Sequence, residues 1–198
     1  MASVGFDTSD QPALATSAVK LLIAGGFGVG KTTLVSSVSE IAPLRTEEVI
    51  SEISGNTDDL AGVEEKTTTT VALDFGRITI NPSLICYLFG TPGQHRFWFM
   101  WDELAQGALG AVVLADTRRL DACFPSVDFF ERRQVPFVVA VNCFDGVQPY
   151  TVDQVRDAMD LDSFVPTVLC DVRRRESSKQ VLITLLEHLI SLRSLARS

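Results

Sequence analysis

The stretch VKLLIAGGFGVGKTT, Val19 to Thr33, decides the fold. Val19 and Leu21 to Ala24 make an apolar run of the length of a buried strand, and the apolar-periodic segment from Thr33 to Ile41 reads as a helix. Between them stands Gly25-Gly26-Phe27-Gly28-Val29-Gly30-Lys31-Thr32, a complete G-x-x-x-x-G-K-[ST]. Strand, glycine-rich turn and helix in this order form a phosphate cradle. The glycines let successive backbone N–H groups converge on phosphate oxygens, and the helix N-terminus adds the positive end of its dipole. Lys31 is placed to reach the outer phosphates as a point charge and the Thr32 hydroxyl to ligate Mg²⁺, with Thr33 next in the same site. A chance glycine-rich turn would lack the flanking strand and helix, so the stretch predicts a nucleoside triphosphate site.

Composition sets the frame around it. A chain of 198 residues, 46% apolar, fits one domain with an ample core and no internal repeat. The net charge of −8 argues against non-specific nucleic-acid binding, because no broad basic face can be assembled. Cys86, Cys123, Cys143 and Cys170 are scattered, without metal-ligand spacing, and read as small buried hydrophobes of a reducing cytosol. Runs such as Gly110 to Ala115 are strand-sized and too short to span a bilayer. Neither end carries a myristoyl or prenyl signal. The expectation is a soluble cytoplasmic protein that reaches a membrane only by recruitment through a partner.

Residues 1–17 are small and polar and are expected to form a mobile tail, with one domain over 18–198. The acidic stretch from Ala42 to Lys66 has room for a short helix but reads mostly as a loop, and so long a loop is usually functional. After Thr67-Thr68-Thr69-Thr70, VALDFGRITI and SLICYLFG read as strands joined by Asn81-Pro82 into an antiparallel hairpin. Helices are then expected over Gln94–Gln106, Phe124–Arg133, Thr151–Met159 and Ser177–Leu195, alternating with strands Ala111–Ala115, Phe137–Val141 and Val165–Leu169. This predicts an α/β fold: a mostly parallel six-stranded sheet with one antiparallel hairpin strand and helices on both faces. On such sheets ligands bind beyond the C-terminal strand ends.

Those ends carry Gly90-Thr91-Pro92-Gly93-Gln94, Asn142-Cys143-Phe144-Asp145 and Cys170-Asp171-Val172. With the P-loop and Thr70-x-x-x-Asp74-Phe75, this set resembles the Ras-like small GTPases over nearly the whole chain from about residue 19. It is most similar to the bacterial MglA-like proteins and the related GTPases of actinobacterial conservons. The resemblance implies GTP and GDP as ligands with Mg²⁺ on Thr32 and Thr70, although Thr67, Thr68 and Thr69 offer neighbouring registers for Thr70. It implies that Gly93 contacts the γ-phosphate, that Gln94 orients the attacking water while Lys31 assists, and that Asn142 and Asp145 select guanine. A carboxylate accepts two hydrogen bonds from guanine N1–H and its exocyclic amine, and adenine has neither donor there. Cys170, Asp171 and Val172 hold the place where a backbone N–H meets the guanine carbonyl.

Three departures stand out. Gly90 replaces the usual switch aspartate, so weaker Mg²⁺ is expected. Asp116 is a candidate substitute carboxylate, though a loop-capping role is the preferred reading. Cys143 replaces the lysine of N-K-x-D, and the bulky Phe27 stands at the P-loop position next to the γ-phosphate. The last predicts slow hydrolysis. Phe97-Trp98-Phe99-Met100-Trp101 is too apolar for one helical stripe: Phe97, Met100, Trp101 and Leu104 fit the core face. Trp98 and Phe99 are then either covered by the long loop or exposed as an effector surface, for which the resemblance implies a Roadblock-type small regulatory partner. The expected function is a GTP-binding signalling switch acting through switch I (about 42–70) and switch II (about 90–106). The alternatives are a GTP-sensing scaffold with negligible hydrolysis and an ATP-dependent P-loop enzyme.

Overall fold

The computed structural model describes residues 16–42, 44–51, 68–93, 97, 99–146 and 149–196. The strands are β1 (Ser17–Gly25), β2 (Leu44–Ser51), β3 (Thr68–Asn81), β4 (Leu84–Gly90), β5 (Ala108–Ala115), β6 (Phe137–Asn142) and β7 (Thr167–Cys170). The helices are α1 (Lys31–Val38), α2 (Phe99–Ala105), α3 (Phe124–Arg133), α4 (Val152–Ala158) and α5 (Arg175–Leu195). Short 3₁₀ turns cover Leu120–Cys123 and Phe144–Gly146. The strands form one sheet ordered β2-β3-β4-β1-β5-β6-β7. β1 is parallel to both its neighbours, while β3 runs antiparallel to both β2 and β4.

The apolar run of β1 is explained by its central place. Leu21 and Ile23 face the core shared with α1 and α5, whereas Leu22 and Ala24 face the core under α2, α3 and α4. Successive strand residues point to opposite faces, so a strand covered on both sides must be apolar throughout. Each fully buried leucine or isoleucine contributes about 1.5–3 kcal/mol. That anchors the glycine-rich turn at the strand's end.

All six expected strands are present, and a seventh lies at the edge. Leu44–Ser51, in the stretch read mostly as loop, pairs with β3 from Leu44↔Phe75 to Ser51↔Thr68. Its Thr46, Val49 and Ile50 favour a strand, and its charges suit an edge that must not recruit another chain. The remainder of that stretch, 52–67, lies outside the described residues, as does the expected tail over 1–15. Ser17 already belongs to β1, donating its N–H to the Ser83 carbonyl at 2.8 Å. The hairpin turn is set by Asn81, whose Oδ1 accepts from the N–H and the hydroxyl of Ser83, both at 2.9 Å. Thr151 and Gln154 form a capping box at the start of α4.

Gln94, His95, Arg96 and Trp98 lie outside the described residues. Phe97 and Trp101 are buried, as their stripe requires. The Trp101 indole N–H donates to the Pro92 carbonyl at 3.2 Å, and its ring packs edge-on to Phe129 and stacks on Phe130. The segment after β4 is thereby fastened to α3. Phe99 is 58% exposed. All four cysteines are free thiols, and burial pushes Cys86 up to about 11 and Cys123 and Cys170 up to about 12. No helix among the described residues is long and apolar enough to cross a membrane.

Candidate functional site

The P-loop joins the end of β1 to the start of α1. Gly30 precedes α1 with φ 110 and gives no side-chain cap, which leaves the helix's first N–H groups for a ligand. A Cβ at Gly30 would lie 2.9 Å from Val172 Cγ2 and 3.0 Å from Asn142 Nδ2, so the loop is packed against both later motifs. Lys31 Nζ donates to the carbonyls of Gly25 and Gly26 at 2.9 and 2.8 Å. Burial lowers its pKa to about 8, opposed by the Asp74 carboxylate. Phe27 is 66% exposed.

Gly93 lies directly over this loop. A Cβ there would fall 2.6 Å from Lys31 Nζ, which would have to move, and 3.0 Å from Phe27 N, tighter than most side chains sit. The glycine of G-T-P-G-Q and the P-loop lysine therefore meet at one point, where the outer phosphates of a nucleotide are expected. Gln94, the next residue, lies outside the described residues.

Asp74 is the residue that sequence reasoning missed. It was noted only as part of the spacing from Thr70. Its Oδ2 accepts from the Thr32 hydroxyl at 2.5 Å. It pairs with Gly90 across the β3–β4 ladder. A Cβ at Gly90 would lie 3.0 Å from Asp74 Cβ and 3.1 Å from its Oδ2, so this carboxylate fills the space that a side chain at position 90 would take. A register shift between Thr79 and Asn81 hides this pairing from the sequence: counting outward from Asn81↔Leu84 would set Phe75, not Asp74, opposite Gly90. Thr70 is a ladder residue opposite Val49, and its side chain lies outside the described part. It stands four positions before Asp74, about 13 Å along a strand.

Asp116 is not the substitute. It is 4% exposed, and its carboxylate takes the Arg118 backbone N–H at 3.0 Å and the Arg118 guanidinium at 2.9 and 2.8 Å. Arg118 holds its pKa below the usual carboxylate range. This is the loop-capping role.

At the other end of the site, Asn142 is 5% exposed and joins three segments. Its Nδ2 donates to the Val29 carbonyl of the P-loop at 3.0 Å, and its Oδ1 accepts from the Val172 N–H at 3.3 Å. The backbone of Cys143 donates to the Cys170 carbonyl at 2.7 Å, fixing the two loops side by side. Asp145 lies in the 3₁₀ turn that follows; its side chain is outside the described part. The Asp171 N–H goes to Ser177 Oγ at 2.9 Å, and the Asp171 carboxylate pairs with Arg173 at 2.9 Å. Of the amides at this loop, those of Asp171 and Val172 have protein acceptors, and Ser177 is a second residue that position alone did not reveal.

Known proteins resemble this chain in sequence and in fold. A family described as conserved hypothetical ATP binding protein matches residues 23–192. An uncharacterized protein of Methanocaldococcus jannaschii is 30% identical over 129 residues, covering 64% of this chain and 71% of that protein. The cytosolic domain of the T. maritima FeoB iron transporter in apo form is similar at a TM-score of 0.62 and 16% identity, over 87% of this chain and 64% of that one. This chain thus spans less than two thirds of that domain. The FeoB G-domain from Methanococcus jannaschii is similar at 0.58 and 13% identity, over 88% of this chain and 99% of that one. At such identities the likeness is one of fold, a P-loop G domain. With a match that runs from within β1 into the last turn of α5, the chain belongs to the family of conserved hypothetical ATP binding proteins.

Proposed function

We propose that this chain is a guanine-nucleotide switch that binds GTP and GDP and hydrolyses GTP slowly, in the manner of the MglA-like and conservon GTPases it resembles. The observation that carries the reading is Asn142, which ties the P-loop to the β7–α5 loop immediately before the turn bearing Asp145. On this reading the Asp145 carboxylate accepts from the two donors on guanine and leaves adenine unmatched. The FeoB domain whose cytosolic structure was solved in GDP form shares this fold at a TM-score of 0.63. The competing reading is an ATP-dependent P-loop protein, favoured by the family's description and by Cys143.

The residues present fit Mg²⁺. Thr32 and Asp74 bring two hard oxygen donors together at the start of α1, and Mg²⁺ is typically held by one or two carboxylates plus phosphates. Thr32 and Asp74 would hold the ion, and it would neutralise phosphate charge there. The absent aspartate at Gly90 then costs the site nothing. Gln94 orients the water, and Lys31 with the P-loop amides takes up the charge that develops on the phosphate. Phe27 at the exposed lip obstructs any group that would approach the γ-phosphate from outside. A Roadblock-type partner would meet the switches at Trp98 and Phe99.

Single-turnover phosphate release tests this reading. GTP is expected to give slow release and ATP none, and Phe27→Gly is expected to raise the GTP rate several-fold. Release from ATP at an equal or greater rate would overturn the assignment, and an unchanged rate in Phe27→Gly would remove the obstruction argument.

A further inference from the structure

The P-loop is braced through its carbonyls, by Lys31 at Gly25 and Gly26, by Asn142 at Val29 and by the Leu34 amide at Gly30. One brace belongs to no motif. Arg119, in the connection between β5 and α3, donates from Nη2 to the Phe27 carbonyl at 3.1 Å. The same nitrogen lies 3.6 Å from where a Cβ on Gly28 would stand.

This connection is fitted to the loop. Ala122 is so close to Gly26 that a Cβ on that glycine would fall 2.7 Å from the Ala122 Cβ. The backbone of Arg119 is fixed at both ends, its N–H on the Asp116 carbonyl at 2.9 Å and its carbonyl on the Ala122 N–H at 3.1 Å. The adjacent arginines have separate duties. Arg118 takes the Asp116 carboxylate and lies over the Phe144 ring at 3.9 Å, while Arg119 reaches the P-loop.

A planar trans peptide points its C=O and its N–H in opposite directions, and no cis bond is found among the described residues. Holding the Phe27 carbonyl toward Arg119 therefore turns the Gly28 N–H away from it. Phe27 N lies beside Gly93, on the side where Lys31 Nζ also meets that glycine. Gly28 has φ 75, the left-handed geometry that lets neighbouring N–H groups of a nest converge on an anion.

We propose that Arg119 is a positioning residue of the nucleotide site, fixing the Phe27–Gly28 peptide so that the Gly28 N–H is presented to a phosphate oxygen of a bound nucleoside di- or triphosphate. The proposal rests on the nucleotide reading given above. Arginine suits the task because its guanidinium offers a rigid fork of donors.

The test compares wild type, Arg119→Ala and Arg119→Lys for binding of GDP and of GMP, which lacks the phosphates beyond the first, and records the ³¹P resonances of bound GDP. Arg119→Ala is expected to weaken GDP by about fivefold, the upper end of the scale for one exposed charged contact. GMP affinity and the melting temperature without nucleotide should stay near wild type, the β-phosphate resonance should move, and Arg119→Lys should recover part of the loss. GDP affinity within about twofold of wild type with an unmoved resonance would overturn the proposal. So would intact GDP binding with a loss confined to hydrolysis, which would make Arg119 act on the transition state instead. Failure of the wild-type protein to bind GDP would strike the nucleotide reading itself, which is a different result.

Discussion

On the proposed reading, the phosphate end of the site relies on backbone and the base end on side chains. At the phosphate end, one contiguous turn supplies the amides, and its carbonyls are held by Lys31, Arg119 and Asn142. At the base end, Asn142 with the turn that follows it and the loop from Cys170 to Val172 come from two segments far apart in sequence, tied by the Val172 N–H on Asn142 and the Cys143 N–H on Cys170. A backbone cradle accepts any polyphosphate, so it carries affinity. The side-chain end would carry the choice of base. Substitutions at the two ends should therefore separate, affinity for all nucleotides falling at one and the ratio between bases moving at the other.

The largest effect is expected at Lys31. Lys31→Met should weaken GDP and ADP alike by about a hundredfold or more, since a phosphate left facing a lost buried charge has no substitute. The same change should stabilise the protein without nucleotide. Burial holds Lys31 near 8 against an ordinary 10.5. Below pH 8 the ammonium is charged in both folded and unfolded chains, and its desolvation cost is borne in full. As pH rises from about 8 towards 10.5 the folded chain can release the proton and the unfolded chain keeps it, so stability rises. Melting curves without nucleotide should show Lys31→Met above wild type at pH 7, with the gap narrowing through pH 8 to 10. A constant gap would contradict the account.

The next effect lies at Asp74. Asp74→Asn should weaken Mg²⁺-dependent retention of GDP by about tenfold or more, as read from GDP release with and without chelator. Gly90→Asp alone should destabilise the fold, because its Cβ would crowd Asp74. Combined with Asp74→Gly, it should restore both folding and Mg²⁺ dependence by moving the carboxylate to the adjacent strand. A double variant that stays Mg²⁺-independent would show that the carboxylate's position across the ladder does not serve the metal.

The smallest effect is expected at the base end. Cys143→Lys should raise GDP affinity several-fold by covering the base, with the GDP:ADP ratio unchanged. A change in that ratio would show that base selection is shared more widely than the Asp145 turn.

The contrast between the two ends also explains what could be read from sequence. The P-loop, the hairpin turn at Asn81 and α3 over Phe124–Arg133 depend on local signals, and each lies where it was expected. Asn142 was legible because its type and strand-end position travel together. Asp74 and Arg119 were not, because each acts across the fold, one on the neighbouring strand's glycine and the other on a carbonyl far back in the chain. The strand Leu44–Ser51 was obscured by its charges, which an edge strand carries without penalty.

The account turns on the base. Calorimetric titration of the nucleotide-stripped protein with GDP and with ADP, in Mg²⁺, measures it directly. The account predicts GDP binding with ADP weaker by at least a hundredfold, the scale on which a carboxylate left unpaired rejects the wrong ring. Equal affinities, or a preference for ADP, would contradict it.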